Sequence, residues 1–327
     1  MYNRDANKMK ANVVVYSLAV LCSSPAWSAD YITGQQQQYI HDGFSLSSSL
    51  GYLGGESKEF VYDYGRQLSR LDWKINNAAI IKAEANYDLL PWLSINAAGW
   101  TTIASNSGHM NDYDWQNPNS SQNTDSSSSA ATLNEANEYD LSLRGWLFNA
   151  DNYKAGVIAG YQETRFSMTA KNGTYDYAGT DADGNYDPNA PRDRGTFPRN
   201  QSLVGYKQTY RTPYIGLVGK YTVNDIELNA LMKYSHWVDG KDNDNHYMTG
   251  ATSATSTGSA ELWAGQVNAG YWVTPHAKVF TEATYTYYPN KKGEIKQWDN
   301  DGYQSESNGG GMQNRNWTIS AGVQYLW

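Results

Sequence analysis

The chain has 327 residues, 25 Lys and Arg against 33 Asp and Glu, and a formal net charge of -8. An acidic balance disfavours nucleic acid as a partner and mildly favours cationic ones. The single cysteine, Cys22, lies near the amino terminus, so neither a disulfide nor a thiol nucleophile is expected in the rest of the chain.

Arg4, Lys8 and Lys10 precede the apolar run Val13 to Cys22, which gives way to small residues around Ala26, Ser28 and Ala29. This order predicts a secretory signal peptide over 1–29 and a mature domain over 30–327. Leu21 is too bulky for the residue before a lipid-modified cysteine, so Cys22 is not expected to carry a lipid. No later stretch approaches the roughly 18 consecutive apolar residues of a spanning helix. Any membrane-embedded form must therefore use strands.

Four tight turns punctuate the remainder: Asp88 to Pro91, Asn149 to Asn152, Val223 to Asp225, and Thr274 to His276. Between them lie polar stretches near 54–65, 108–134, 172–200, 240–260 and 290–314, which predict five long loops. Five loops alternating with four turns give ten strands. Strand character shows where one face stays apolar: Ile226, Leu228, Ala230, Met232 and Tyr234 alternate with Glu227, Asn229, Lys233 and Ser235. The carboxyl-terminal run alternates likewise, with Trp317, Ile319, Ala321, Val323, Tyr325 and Trp327 against Thr318, Ser320, Gly322 and Gln324. An apolar outer face over a polar inner one predicts an all-β, ten-stranded antiparallel transmembrane β-barrel, with short turns in the periplasm and long loops outside. Segments such as Arg66 to Tyr87 are about twice the roughly 9 to 11 residues that cross a bilayer, so the barrel should rise well above it.

Two polar strings fall where the second and fourth long loops leave their strands. Asp112 and Asp114 share one face of an extended segment, as do Asp242, Asp244 and His246. A carboxylate beside an imidazole fixes its tautomer, which makes His246 a candidate general base oriented by Asp244. Two further carboxylates opposite can hold a water, one of them raised in pKa because close carboxylates resist joint ionisation. Solvated loop acids would give the same strings. Asp181 to Gly184, Asp242 to Asp244 and Asp299 to Gly302 resemble fragments of calcium loops, but none continues to a full ligand set, and no metal is expected. Ser126 to Ser129 read as loop filler, and no serine and histidine pair on adjacent lipid-facing strands is evident.

The chain resembles the omptin family of outer-membrane endoproteases. The resemblance is carried by Leu71-Asp72-Trp73-Lys74, Ala98-Gly99-Trp100-Thr101-Thr102, Asp112-Tyr113-Asp114-Trp115, Ala136-Asn137-Glu138-Tyr139, Gly160-Tyr161-Gln162-Glu163, Gly205-Tyr206-Lys207-Gln208, Asp242 to Tyr247 and Asn268-Ala269-Gly270-Tyr271, and runs from about Phe44 to Trp327. It implies a ten-stranded barrel with a catalytic groove at the extracellular rim, where Asp112 and Asp114 face Asp244 and His246. It also implies that Glu59 and Asp242 line a pocket for a basic substrate side chain, that Asp125 favours a second one, and that lipopolysaccharide acts as a supporting partner. Charges on the outward parity above Tyr161, namely Glu163 and Arg165 with Arg211 on another strand, suit its phosphates. This sequence departs from the family in having Thr209 where a lipopolysaccharide-binding arginine is usual, no basic residue over Thr249 to Ser259, and Met248 two residues after His246.

The expected function is therefore that of a metal-independent endopeptidase without a cofactor, sited in the bacterial outer membrane with its active site outside, cutting polypeptides near Arg or Lys. The alternative is a surface barrel of adhesin or invasin type whose rim binds protein without cutting it. The absence of Lys and Arg between His246 and Ala260 argues against self-cleavage there.

Overall fold

The structure is a computed structural model describing residues 43–104, 106–300 and 302–327. The expected signal peptide over 1–29, with Cys22, lies outside the described residues, as does Asp301 of the last calcium-like string. The described chain forms strands β1 (Phe44–Asp63), β2 (Arg66–Leu90), β3 (Leu93–Thr102), β4 (Asn106–Asp114), β5 (Asp125–Asn149) and β6 (Tyr153–Tyr177). It continues through β7 (Asp193–Thr196), β8 (Ser202–Val223), β9 (Ile226–His246), β10 (Thr252–Trp272), β11 (Ala277–Asp299) and β12 (Gly302–Leu326). All pairings are antiparallel, and β1 pairs with β12 from Ser45 opposite Leu326 to Val61 opposite Gly310, which closes the sheet. Closure leaves no exposed edge within the lipid. β3 and β4 lie end to end between β2 and β5, so they form one stave, and β7 adds only a short ribbon to β6. The described residues thus build ten staves.

The four tight turns fall where the sequence puts them, between β2 and β3, β5 and β6, β8 and β9, and β10 and β11. The five long loops need correction. Most of 54–65, 240–260 and 290–314 is strand, two of the connections shrink to residues 64–65 and 247–251, and β11 runs to Asp299 with β12 starting at Gly302. Ser126 to Ser129 open β5 and are not loop filler. Above the lipid both faces of a strand meet polar surroundings, so the apolar alternation fades while the backbone ladder continues.

Within the lipid band the two faces are clear. Ile319 and Val323 are 57% and 60% exposed, whereas Thr318 and Ser320 are each 3% exposed. Outward aromatic side chains mark both margins, Tyr52, Tyr139, Tyr161, Trp263 and Tyr285 above and Tyr87, Tyr153, Tyr221, Tyr271 and Tyr325 below.

Charge pairs and aromatic rings cross the lumen. Lys233 Nζ lies 2.6 Å from Asp140 Oδ2, and Lys82 Nζ is 2.5 Å from Glu282 Oε1. Glu227 accepts Lys278 at 2.6 Å and Lys220 at 2.8 Å. Tyr210 stacks on Tyr288 with centroids 4.0 Å apart. Higher up, Trp73 stacks on Tyr206 at 5.7 Å, both fully buried, within an apolar layer that includes Leu71, Met110, Leu133, Phe166 and Met168. That layer separates the polar lumen from the mouth.

Candidate active site

Asp112 and Asp114 stand on β4, which is held on both sides: Asp112 is opposite Leu71 of β2 and Ser127 of β5, and Asp114 is opposite Ser69 and Asp125. Asp242, Asp244 and His246 end β9 and remain extended, so all three point into the mouth. A compact tip fixes His246, whose N–H donates to Ala251 O at 2.8 Å while its carbonyl accepts Gly250 N–H at 2.8 Å. The two strings, far apart in the chain, meet at the same end of the barrel, close enough for the charges of Asp112 and Asp114 to act on His246.

His246 Nε2 lies 2.6 Å from Asp244 Oδ2. Asp244 is buried, while the imidazole is 40% exposed to the groove. Burial alone would lower the pKa of His246, but the hydrogen bond and charge of Asp244, joined by the charges of Asp112 and Asp114, raise it above the ordinary value. Asp112 is pushed up to about 8, first by burial and then by the Asp114 charge, with His246 opposing. Asp114 is also raised, by burial and by the charge of Asp125, against a hydrogen bond from Ser69. These mutual effects require the four groups to be close together. Ser69 Oγ, which the sequence did not single out, donates to Asp112 Oδ1 at 3.4 Å.

Beside this quartet lies an acidic recess. Glu59 is 1% exposed, and burial followed by the charges of Asp244, Asp242 and Asp112 holds its carboxyl well above the usual range. Among the described residues Ser253 Oγ alone reaches it, at 3.5 Å, and Glu59 Oε2 accepts no hydrogen bond. Asp242 is better supported: Thr255 N–H donates to it at 2.7 Å and the Tyr206 hydroxyl at 3.1 Å. Burial nonetheless raises it to about 7. Asp244 Oδ1, too, is buried without a hydrogen bond. Tyr206, Ser253 and Thr255 were invisible as site residues because only strand register brings them to Glu59 and Asp242. The Gly205 to Gln208 string gave the one hint.

Asp125 sits nearby with its carboxylate already engaged. The N–H of Ala178 and the Thr124 hydroxyl donate to it, tying the start of the third outer loop to the second. Outside the barrel, Arg165 and Arg211 both pair with the buried Glu163, Arg211 at 3.2 Å, just above Tyr161. The sequence expected those four together, and the structure brings them together.

Other candidates resolve into local structure. Asp181 Oδ1 accepts the N–H groups of Asp183 and Asn185, each at 2.9 Å, so that string caps its own turn. Among the described residues no group of three or more His, Cys, Asp or Glu side chains is placed to hold a metal. A serine and a histidine do meet on adjacent strands of the outer wall, level with Lys74 and above the lipid-facing band in which such a pair was not expected. Ser128 Oγ is 2.8 Å from His109 Nε2. Asn111 Oδ1 reaches the same nitrogen at 3.0 Å, whereas a nucleophile relay needs one partner on each ring nitrogen.

The sequence matches the family model described as the Omptin family over residues 40–327. The chain belongs to the omptin family. This omptin is 46% identical to the plasminogen activator of Yersinia pestis over 324 residues, covering 97% of this chain and 99% of that protein. It is 42% identical to protease 7 of Escherichia coli strain K12, covering 94% and 98% respectively. The crystal structure of the outer membrane protease OmpT from Escherichia coli superposes with a TM-score of 0.81 at 43% identity, covering 88% of this chain and 97% of that one. The omptin is thus an outer-membrane β-barrel with a protease function.

Proposed function

We propose that this omptin is an endopeptidase that hydrolyses peptide bonds next to Arg or Lys with a water activated between His246 and the pair Asp112 and Asp114. The observation that carries the reading is the 2.6 Å Asp244 to His246 contact facing a second carboxylate pair whose Asp112 is held near 8. Neutral His246 takes a proton from the water as its oxygen bonds to the carbonyl carbon, and Asp244 stabilises the resulting imidazolium. Asp112, still protonated at neutral pH, can donate a hydrogen bond to the carbonyl oxygen as it gains charge. The proton on His246 then passes to the leaving nitrogen. No metal enters this scheme.

The preference for a basic side chain rests on the unsatisfied Glu59 Oε2 and the neighbouring Asp242. An arriving guanidinium or ammonium supplies the missing donors and favours ionisation of both acids. Asp125, engaged by Ala178 and Thr124, contributes to a second basic subsite through its charge and through the loop it holds. The active site opens to the cell exterior, on the side away from the four tight turns.

The supporting partner is lipopolysaccharide, seated over Tyr161, Glu163, Arg165 and Arg211. Thr209 leaves a gap in that cluster, but Lys241 lies directly opposite Thr209 on β9, 54% exposed, and supplies a cation from the next strand.

The test is a peptide-cleavage assay on purified protein with and without lipopolysaccharide. His246→Ala and Asp112→Ala should each lower kcat about a thousandfold while leaving the heat-modifiable folded barrel intact. Retained turnover in either variant would reject the scheme, and inhibition by a chelator would bring back a metal. Rim binding of polypeptide without cleavage in both conditions would favour the adhesin reading.

A further inference from the structure

A second charged cluster lies on the outer wall of β12, β1 and β2, and its central strand β1 is four staves from Arg165 on β6 and five from Arg211 on β8. It is built across three strands in register, Glu56 opposite both Arg315 and Lys74, and Lys58 opposite Asp72. Arg315 Nη2 is 2.8 Å from Glu56 Oε2, Lys58 Nζ is 3.1 Å from Asp72 Oδ1, and Arg70 Nε is 3.1 Å from the same oxygen. Both carboxylates are buried, whereas Arg315 is 54% exposed and Lys74 is exposed beside it. Four cations around two acids leave the patch net positive.

Its height decides what it meets. Arg315 stands two residues above Trp317, and Glu56 stands just above Tyr52, whose ring belongs to the upper aromatic margin. Gly54 makes the aromatic floor possible, because a Cβ there would lie 2.4 Å from the Trp317 ring. On its far side the patch ends in Arg70, which rests over Tyr113 at 5.0 Å. Buried acids thus pin the inner cations, while Arg315, held by Glu56 but half exposed, and the exposed Lys74 turn outward at the level where lipid headgroups begin.

We infer that this wall binds the phosphorylated headgroup of an outer-leaflet lipid, with Arg315 and Lys74 as its principal contacts. Charge complementarity selects a phosphate, and the aromatic margin beneath fixes the depth at which acyl chains give way to it. The site is separate from the Arg165 and Arg211 cluster and does not depend on the proposed lipopolysaccharide contact there.

The experiment is native mass spectrometry of the full barrel in detergent, titrated with bisphosphorylated lipid A and with its dephosphorylated form. The double variant Lys74→Glu, Arg315→Glu should weaken one binding event roughly tenfold, the loss of one or two charge-assisted contacts. Peptide cleavage and heat-modifiable mobility should stay unchanged. The double variant Arg165→Glu, Arg211→Glu should leave that event intact, so failure of one site is distinguishable from failure of the other. Unchanged binding in the Lys74 and Arg315 variant, equal binding of the dephosphorylated lipid, or displacement of the lipid by inorganic phosphate would each overturn the inference.

Discussion

The lumen and the mouth of this barrel treat carboxylates in opposite ways. In the lumen each of the buried acids Asp140, Glu227 and Glu282 has a lysine within 3 Å. In the mouth Glu59, Asp112, Asp114, Asp242 and Asp244 crowd together, and among the described residues His246 is the cation paired with them. β9 runs through both regions, carrying Lys233 below and Asp242, Asp244 and His246 above. Because one strand serves both patterns, the missing cations of the mouth are not a failing of the scaffold. Under the proposed function they suit the mouth to a cationic substrate side chain, at the expense of stability.

The contrast breaks most visibly in the lumen. Lys233→Met should leave Asp140 buried without its cation and destabilise the barrel by about 3–5 kcal/mol, read as a fall in the temperature of the heat-modifiable transition. The fraction that remains folded should keep its kcat. An unchanged transition would mean that the lumenal pairs are not structural.

In the mouth, Asp242→Asn should do the reverse. The folded pKa of Asp242 is raised to about 7 from an ordinary value of 3.8. Its favourable contribution is therefore complete below the ordinary value and lost as pH rises through about 7. The variant should be more stable than the parent at pH 8 and no more stable at pH 3.5, while kcat/KM for an Arg peptide falls about a hundredfold. A loss of stability at pH 8 would show that the acid is structural.

The smallest effect sharpens the same point. Tyr206→Phe removes a hydrogen bond that holds Asp242 down, so the acid limb of kcat/KM for Arg peptides should move to higher pH. The expected loss is a few-fold at pH 7, vanishing by pH 9. An unmoved limb would detach Asp242 from substrate binding.

The sequence exposes the fold only where water and lipid lie on opposite sides of a strand. Ile319 and Thr318 reveal their faces, whereas Glu56, Ser57 and Lys58 are polar on both and pass for a loop although they are paired on either side. The site divides similarly. Asp112, Asp114, Asp244 and His246 occur in short strings whose spacing survives folding, so they can be picked out in the chain. Tyr206, Ser253 and Thr255 owe their places to the registers of β8, β9 and β10, which no local pattern encodes. Asp125 was found by resemblance, but its bond to Ala178 joins two loops that the sequence leaves unrelated.

The obstructed lumen also bears on the direction of traffic in the proposed reaction. With Tyr210 stacked on Tyr288 and Lys233 locked to Asp140 across the bore, a severed peptide has no passage through the barrel. Under the proposed function, fragments leave by the opening through which the intact polypeptide entered, so the compartment beneath neither feeds the reaction nor receives its debris.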